Sequence, residues 1–351
     1  MADSTLSLLC RFAPRHTPRV RALLQLLGVT LFLLVGGGIV KAQQLLTRPD
    51  GEPFRLVLQW MPQAQFAGLY VAQDLGFYRD AGVALEIMRG GPDRDGVRLM
   101  KEGRVDFAQT WLSTAIEYHE KQLPLVHILQ VLNRSNAAII ARKSKGIHKI
   151  EDLNGRRISL WEGQFRPPFQ VLLGKTGIRP VVVPQYYTVS LFLRGGVDAC
   201  SGMEYNELNM IYLAGIDREE LTVFFLRDYG VNFPEDAILC RRDVWEQSPE
   251  ACAMVAEASL RGWEYTRENP EKALDIVMAY VEQERLPTNR THMRWMLQVI
   301  LRSIFPEEGD RWTLGELSRD DYETTARWVK DQHIIDNIPA YDVFRGQTRV
   351  P

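Results

Sequence analysis

The chain has 351 residues, of which 46% are hydrophobic and 25% are charged, a globular composition that excludes disorder, collagen and coiled coil. Its 42 basic and 44 acidic residues give a formal net charge of −2, and this balance gives no reason to expect a nucleic-acid partner. Four cysteines in a chain of this length exclude a disulfide scaffold, and the length favours two domains or one large two-lobed protein.

The first predicted element is a targeting segment at residues 1–42. Arginines precede an apolar run over residues 22–40, and Val40-Lys41-Ala42 places small residues at the two positions that a signal peptidase reads. This pattern predicts a secretory signal peptide that is cleaved before Gln43. The run is also long enough to cross a bilayer, so the alternative is an uncleaved N-terminal membrane anchor. Both interpretations predict export to the periplasm, with contact to the inner membrane only if the segment is retained.

Strands and helices then alternate from residue 54 onward. The apolar periodicity predicts strands at 55–60, 83–88 and 105–109, with helices at 68–80, 96–102 and 113–121 between and after them. Residues 125–132 and 137–142 are predicted to form one long extended segment with a polar break at 133–136.

The alternation restarts near residue 149. It predicts strands at 157–161, 181–186 and 197–201, helices around 168–174 and 190–195, an extended segment at 237–241 and helices over 249–335 with breaks at prolines. Strands separated by helices of this length predict parallel sheets.

The predicted domains follow from this repeat. Lobe one is expected at 43–142 and 240–345, lobe two at 146–235, and a tail at 346–351. Two segments of chain would connect the lobes. In such an α/β protein a ligand is expected in the cleft, near the carboxyl ends of the strands.

Several segments resemble those of periplasmic solute-binding proteins of ABC importers. They are Leu58-Gln59-Trp60-Met61-Pro62, Gly76-Phe77-Tyr78, Ile150-Glu151-Asp152-Leu153-Asn154-Gly155 and Asn269-Pro270-Glu271-Lys272. The resemblance covers nearly all of residues 54–345, and it is strongest to the branch shared by thiamine-pyrimidine-precursor binding proteins and the fungal thiamine pyrimidine synthase. Alkanesulfonate and nitrate binders share much of the same framework. The resemblance implies an α/β, two-lobed type II periplasmic-binding-protein fold with two hinge-crossing segments, which closes on ligand by hinge bending.

The resemblance also implies a function. It predicts an exported solute-binding protein that captures a thiamine pyrimidine precursor, an aminopyrimidine, in the cleft between the lobes and delivers it to the permease and ATPase subunits of an ABC importer. Three alternatives stay open: a binding protein for a sulfonate or other small anion, a synthase-like enzyme, and a ligand-sensing module without transport. The candidate anion contacts would be Arg89, Arg94 and Arg166.

The enzyme alternative depends on one short segment. The synthase uses a lysine and a nearby histidine in the segment that matches residues 110–114, and here that segment reads Thr110-Trp111-Leu112-Ser113-Thr114. Because neither residue type occurs there, we expect no enzymatic activity and no cofactor. The histidines and cysteines show no metal-ligand spacing, so no metal site is predicted either.

Candidate ligand contacts lie at the predicted strand ends. Trp60, Trp111 and Trp161 can offer aromatic faces to a flat ring, although each tryptophan alone is also typical of core packing. Glu204 aligns with an acidic residue of the pyrimidine branch and can accept hydrogen bonds from an amino group, or it can cap the following helix. Glu207 is expected to be solvated. The remaining predicted ligand contacts are Gln59, Tyr70, Glu162, Gly163, Tyr186 and Tyr205.

Overall fold

The structure is a computed structural model that describes residues 44–307, 309 and 311–346. Leu45 begins the compact unit that contains the fold. The predicted signal peptide or anchor at 1–42 lies outside the described residues, as does the predicted tail beyond residue 346. Within the described residues, no helix is both long and apolar enough to cross a membrane.

The strands form two five-stranded sheets, one in each lobe, in the orders β2-β1-β3-β10-β4 and β7-β6-β8-β5-β9. Their bounds are β1 Phe54–Val57, β2 Leu85–Met88, β3 Phe107–Thr110, β4 Leu125–Leu129, β5 Ala137–Arg142, β6 Arg157–Trp161, β7 Val181–Gln185, β8 Ala199–Met203, β9 Leu221–Phe225 and β10 Ala237–Arg241. In each sheet the first three strands in that order pair in parallel, as the alternating pattern predicts. The predicted fold class is confirmed.

The chain passes between the lobes twice, through residues 132–137 and 232–237. Leu132 and Glu235 exchange backbone hydrogen bonds of 3.1 and 2.9 Å, so the two crossing segments run side by side. Asn232 reinforces them, because its side chain accepts from the Ser135 amide and donates to the Asn133 carbonyl. β5 and β10 are the strands entered directly from the other lobe, and both pair antiparallel with their neighbours.

The structure corrects one predicted boundary. β5 was assigned to lobe one, which was expected to extend to residue 142, yet it pairs with β8 and β9 in the sheet of lobe two. The polar break at 133–136 is therefore the first crossing segment itself. Its side chains bond to the second crossing segment, which explains why polar residues occur between two apolar strands.

Helices cover both sheets and form the C-terminal part of lobe one. The α-helices are α1 Ala67–Asp74, α2 Phe77–Ala81, α3 Gly96–Lys101, α4 Leu112–Lys121, α5 Arg166–Thr176, α6 Ser190–Leu193, α7 Glu207–Leu213, α8 Arg242–Gln247, α9 Pro249–Glu268, α10 Pro270–Gln283, α11 Arg290–Ile304, α12 Arg319–Asp331 and α13 Tyr341–Phe344. Short 3-10 helices are Ala64–Phe66, Lys143–Lys145, Ile150–Leu153, Gly163–Phe165, Arg218–Glu220 and Leu226–Tyr229. The predicted proline breaks coincide with the ends of α9, α10 and α11.

Lobe one is stabilised by the close approach of α1 and α9. A Cβ atom at Gly262 would collide with the backbone carbonyl of Gly68, and one at Gly68 would collide with the Trp263 ring, so both positions need glycine. Trp263 is fully buried at this crossing. The C-terminal helices thus pack back on the first α/β unit, and this packing fixes the segment after β1 that faces the cleft.

Candidate ligand-binding site

The ends of four parallel strands meet at the cleft between the lobes. Gln59 and Trp60 follow β1 and Trp111 follows β3 in lobe one, while Trp161 ends β6 and Met203 ends β8 in lobe two. Side chains at the carboxyl ends of parallel strands collect at one edge of a sheet. The two sheets present these edges to the same space.

That space contains a small cavity of about 70 Å³, which we call the inner pocket. It is far smaller than the roughly 300–1,000 Å³ typical of sites for drug-sized ligands. The residues that line it are Gln59, Trp60, Gln63, Gln65, Trp111, Trp161, Phe165, Tyr187, Met203, Tyr205, Asn206 and Glu207.

Aromatic rings from both lobes form one side of the inner pocket. Trp60 lies 4.7 Å from Tyr187 and 5.8 Å from Phe165, measured between ring centroids. Phe165 also contacts Trp111 at 5.0 Å and Trp161 at 5.9 Å, both in edge-to-face or tilted geometry. Rings arranged in this way leave faces as well as edges toward the space between them. The pocket is therefore suited to a flat ligand.

One carboxyl group, that of Glu207, lines the pocket. Glu207 begins α7, is only 7% exposed, and accepts hydrogen bonds from the Met203 amide at 2.9 Å and from Asn206 Nδ2 at 2.8 Å. Gly202 on β8 makes room for it, because a Cβ atom there would stand 2.8 Å from Glu207 Cβ and 2.8 Å from Ile140 Cδ1. The turn between β8 and α7 thus packs the Glu207 side chain against its own strand.

Burial raises the pKa of Glu207 to about 7, because desolvation outweighs the hydrogen bonds that favour the carboxylate. Among the described residues that line the inner pocket, none is lysine or arginine. A carboxyl group with this pKa can donate a proton to a ring nitrogen and accept from an amino group at neutral pH. The pocket is thus suited to bind the polar edge of a ligand that is neutral or positively charged.

A second buried acid lies behind the pocket wall. Gln63 Nε2 donates to Gln65 Oε1, and Gln65 Nε2 donates to both carboxylate oxygens of Asp236 at 3.0 and 2.8 Å. Asp236 lies in the second crossing segment with a φ of 56° and is fully buried. Burial raises its pKa, and the neighbouring Glu235 raises it further. This chain fixes the Gln63 and Gln65 side chains and links the pocket to the hinge.

Several polar atoms near the pocket are buried without a hydrogen-bond partner among the described residues. Both amide atoms of Gln59 and the Trp111 indole nitrogen belong to lining residues, and the hydroxyl groups of Thr110 and Ser113 flank Trp111. Buried polar groups in native proteins are almost always satisfied, so such groups point to a ligand or solvent partner. The Gln59 amide is therefore a candidate donor and acceptor for a ligand.

Glu204 is placed outside the pocket lining. Its carboxylate pairs with Arg227 at 2.9 Å and lies 3.9 Å from Arg302, so its charge is already compensated. The expectation that Glu207 is solvated is wrong, because the turn after β8 brings Glu207 to the pocket instead. Sequence spacing alone could not separate these two acids, since both lie within the first turn after the strand.

The other predicted contacts divide into two groups. Gln59, Trp60, Trp111, Trp161 and Tyr205 line the inner pocket. The residues that do not line it are Tyr70, Glu162, Gly163 and Tyr186.

Each of these four has a different environment. Tyr70 is buried with its ring stacked on Tyr280 at 4.0 Å. Glu162 and Gly163 are exposed, and Gly163 adopts a φ of 63° where the chain turns into α5. Tyr186 is 76% exposed, while its neighbour Tyr187 lines the pocket. β7 ends at Gln185, and of the two tyrosines that follow it Tyr187 is the one that lines the pocket.

Outside the Trp60–Tyr187 contact lies a wider space of about 590 Å³, which we call the outer groove. Methionine, leucine and proline side chains from both lobes line it, together with Asn206 and His292. The sequence gives no signal for His292, because it has no metal-ligand spacing to other histidines or cysteines. In the described part of the chain, no cluster of histidine, cysteine and acidic residues could hold a metal ion.

Comparison with known proteins agrees with this geometry. The family described as "NMT1/THI5 like" matches residues 63–273. A formylaminopyrimidine-binding protein of Halalkalibacterium halodurans is 23% identical over 310 residues, covering 85% of this chain and 91% of that protein. A 4-amino-5-hydroxymethyl-2-methylpyrimidine phosphate synthase of Legionella pneumophila is 26% identical over 290 residues, covering 80% and 87%. The crystal structure of the periplasmic aliphatic sulphonate binding protein SsuA from Escherichia coli superimposes with a TM-score of 0.64 at 16% identity, covering 84% and 99%.

Proposed function

The chain belongs to the NMT1/THI5-like family, and from that premise we propose that it is an exported solute-binding protein for an aminopyrimidine. The ligand lies in the inner pocket between the two lobes. The protein then delivers it to the permease and ATPase subunits of an ABC importer. One observation carries the proposal: a small aromatic pocket contains a single carboxyl group, Glu207, and no basic side chain among its described lining residues.

The chemistry of an aminopyrimidine matches this lining. The ring is flat and can pack against Trp60, Phe165 and Trp111, whose side chains line the inner pocket and contribute dispersion and stacking energy. Its edge carries an amino donor beside a ring-nitrogen acceptor. A protonated Glu207 satisfies both at once, and burial keeps this protonated form available near neutral pH. The Gln59 amide can bond to a further substituent of the ring.

The size of the inner pocket also favours a single ring. A cavity of about 70 Å³ favours a small heterocycle over a larger fused-ring ligand. One relative that covers most of this chain is named for binding formylaminopyrimidine, a ligand of this size class. Another relative is named as a 4-amino-5-hydroxymethyl-2-methylpyrimidine phosphate synthase, and that name also contains an aminopyrimidine ring.

A sulfonate or other anion is disfavoured by the charges. The Arg89 guanidinium binds Asp93 at 2.9 and 3.0 Å and Glu284 at 3.0 Å, so it is engaged away from the pocket. Arg94 lies 3.9 Å from Asp93, and neither it nor Arg166 lines the inner pocket. An anion placed beside Glu207 would meet a group that repels it once ionised.

The enzyme alternative lacks reactive side chains at the site. No lysine, histidine or cysteine lies among the described residues that line the inner pocket. The segment that holds the synthase's lysine and histidine contributes Trp111 here, between the hydroxyl groups of Thr110 and Ser113. Incubation with pyridoxal phosphate, iron and oxygen should therefore yield no pyrimidine product. Formation of a stoichiometric product would establish the enzyme instead.

The transport role and the location rest on the fold. Proteins of this architecture include periplasmic binding proteins, and contacts such as the hydrogen bond from Thr114 to the Gln164 carbonyl join the lobes over the site. Hinge closure of this kind suits capture and release to a membrane complex. We place the protein in the periplasm, with the N-terminal segment either removed or retained as an anchor. A sensing module would use the same pocket, and loss of aminopyrimidine uptake on deletion of the gene would separate transport from sensing.

A thermal-shift panel tests the ligand class. The purified protein is melted with 4-amino-5-hydroxymethyl-2-methylpyrimidine, with the matched pyrimidine in which hydrogen replaces the amino group, and with taurine. A ligand at about 100 times its dissociation constant stabilises the folded state by about 2.7 kcal/mol, which gives a measurable rise in Tm. We expect the rise only with the aminopyrimidine. A rise with taurine alone would show that the site binds anions.

A further inference from the structure

His292 joins the two lobes at the edge of the candidate site. It lies in the first turn of α11, in lobe one, and is 5% exposed. Its Nδ1 atom lies 2.8 Å from Asn209 Nδ2, and its Nε2 atom lies 2.9 Å from Asn206 Oδ1. Both asparagines belong to lobe two, at the start of α7. A single imidazole ring thus makes two hydrogen bonds across the interface between the lobes.

The two bonds together require one tautomer of the ring. Asn209 Nδ2 is a donor, so His292 Nδ1 must accept, and the proton of the neutral ring is then on Nε2. Nε2 donates that proton to Asn206 Oδ1. Burial lowers the pKa of His292, which keeps the ring neutral and preserves this arrangement at neutral pH.

The chain of hydrogen bonds continues to the pocket carboxyl. With its oxygen accepting from His292, Asn206 must direct Nδ2 toward Glu207 Oε1, and the distance is 2.8 Å. If the Asn206 amide were reversed, it would present an oxygen to the carboxylate and a donor to the His292 N–H, so both bonds would be lost. The identity and tautomer of His292 therefore determine that Asn206 presents its Nδ2 donor, and not its oxygen, to the Glu207 carboxyl.

We propose that His292 is a positioning residue: through Asn206 it orients the Glu207 carboxyl that distinguishes the amino edge of the ligand. The part of this proposal that concerns the ligand rests on the proposed function. Because His292 belongs to lobe one and both asparagines to lobe two, the carboxyl is fully oriented only while α11 packs against α7. Trp295 on the same helix donates to the Glu204 carbonyl at 3.2 Å, which holds α11 against lobe two beside the chain of hydrogen bonds.

Three variants test the role of His292. His292→Leu removes both hydrogen bonds, whereas His292→Gln keeps one acceptor for Asn209 and one donor for Asn206. Thr291→Ala, at an exposed neighbouring position on α11, is the matched control. If His292→Leu fails to fold, Asn209→Leu takes its place, because it removes the donor that selects the tautomer and keeps the imidazole ring in the chain.

The first measurement needs no ligand. The titration midpoint of the Glu207 carboxyl is followed by NMR of its side-chain carbon in each variant. Loss of an oriented donor disfavours the carboxylate, so His292→Leu or Asn209→Leu should raise the midpoint by about 0.5–1 pH unit. His292→Gln should stay near the parent, and Thr291→Ala should match it. An unchanged midpoint in His292→Leu would overturn the proposal, whatever the ligand of the protein is.

The second measurement compares two ligands by titration calorimetry. At about pH 6, where the Glu207 carboxyl is mostly protonated in parent and variant alike, we expect His292→Leu to weaken binding of the aminopyrimidine by about fivefold to tenfold and to leave the matched pyrimidine without an amino group within about twofold. His292→Gln should restore most of the affinity. An equal loss for both ligands would reduce His292 to a packing residue. If the parent binds neither ligand, the proposed function fails, while the titration of Glu207 still decides the role of His292.

Discussion

The sharpest prediction concerns how affinity for the aminopyrimidine changes with pH. In the proposed complex, the Glu207 carboxyl and the ring nitrogen would share one proton, so a neutral ligand would bind only to the protonated carboxyl. Burial raises the pKa of Glu207 to about 7, so the protonated fraction falls from about nine-tenths at about pH 6 to about one-tenth at about pH 8. The dissociation constant for the aminopyrimidine should therefore rise about fivefold to tenfold over that interval, with the smaller figure applying if the ligand ring itself is protonated at the lower pH.

Glu207→Gln isolates this effect because the amide keeps one donor and one acceptor at every pH. In the parent, both carboxyl oxygens accept from the protein, from the Met203 amide and from Asn206 Nδ2. The glutamine can accept only one of these bonds, which leaves its amide less firmly oriented toward the ligand, so at about pH 6 we expect binding about fivefold weaker than in the parent. Between about pH 6 and about pH 8, however, the variant's affinity should no longer fall with the titration of residue 207. Any change that remains would come from protonation of the ligand ring.

Titration calorimetry at three pH values measures both effects, with Glu204→Gln as the matched control. Glu204 is paired with Arg227 outside the pocket, so its variant should keep the parent's pH dependence. The reasoning is refuted if the parent binds the aminopyrimidine equally well at all three pH values. It is also refuted if Glu204→Gln, rather than Glu207→Gln, removes the dependence.

Three further predictions follow from the buried groups and the aromatic rings. Burial raises the pKa of Glu235 to about 7, so the protonated carboxyl stabilises the fold fully below its ordinary pKa, and this stability is lost as pH rises through about 7. Because glutamine does not titrate, the free energy of unfolding of Glu235→Gln should rise relative to the parent's by on the order of 2 kcal/mol between about pH 5 and pH 8, as measured by urea unfolding. Gly202→Ala should weaken aminopyrimidine binding about tenfold in calorimetry, because the new methyl group would stand 2.8 Å from Glu207 Cβ and displace that side chain. Unchanged affinity would show that the neighbouring side chains move to accommodate the methyl group without disturbing the site. Trp60→Ala should weaken the aminopyrimidine and its analogue without the amino group by a similar factor, about tenfold in calorimetry, because stacking does not distinguish the ring edge, and a selective loss for one ligand would contradict this role.

The fold could be predicted from the sequence because its signals are local. Alternating apolar strands and helices, with breaks at glycine and proline, predict every strand except β9, although β4 and β5 are predicted as one extended segment. The strand β5 was assigned to the wrong lobe because pairing depends on which distant strands it meets, and periodicity carries no such information. Polar residues at 133–136 were the available signal: a break of this kind between two apolar strands is where the chain leaves one sheet for the other.

The candidate site could be predicted where strand ends alone decide position. Trp60, Trp111 and Trp161 follow this rule and line the inner pocket. The choice between Glu204 and Glu207, or between Tyr186 and Tyr187, depends on the path of a turn over one to three residues, because successive residues in extended chain face opposite sides. The hydrogen bonds of His292 depend on a contact between two lobes and have no counterpart in sequence spacing.

The central claim is that the inner pocket selects an uncharged or cationic aminopyrimidine over an anion of similar size. Titration calorimetry of the parent protein with 4-amino-5-hydroxymethyl-2-methylpyrimidine and with taurine, at about pH 7 in the same buffer, tests it most directly. We expect saturable binding of one aminopyrimidine per chain and no measurable heat with taurine. Saturable binding of taurine, with none of the aminopyrimidine, would contradict it.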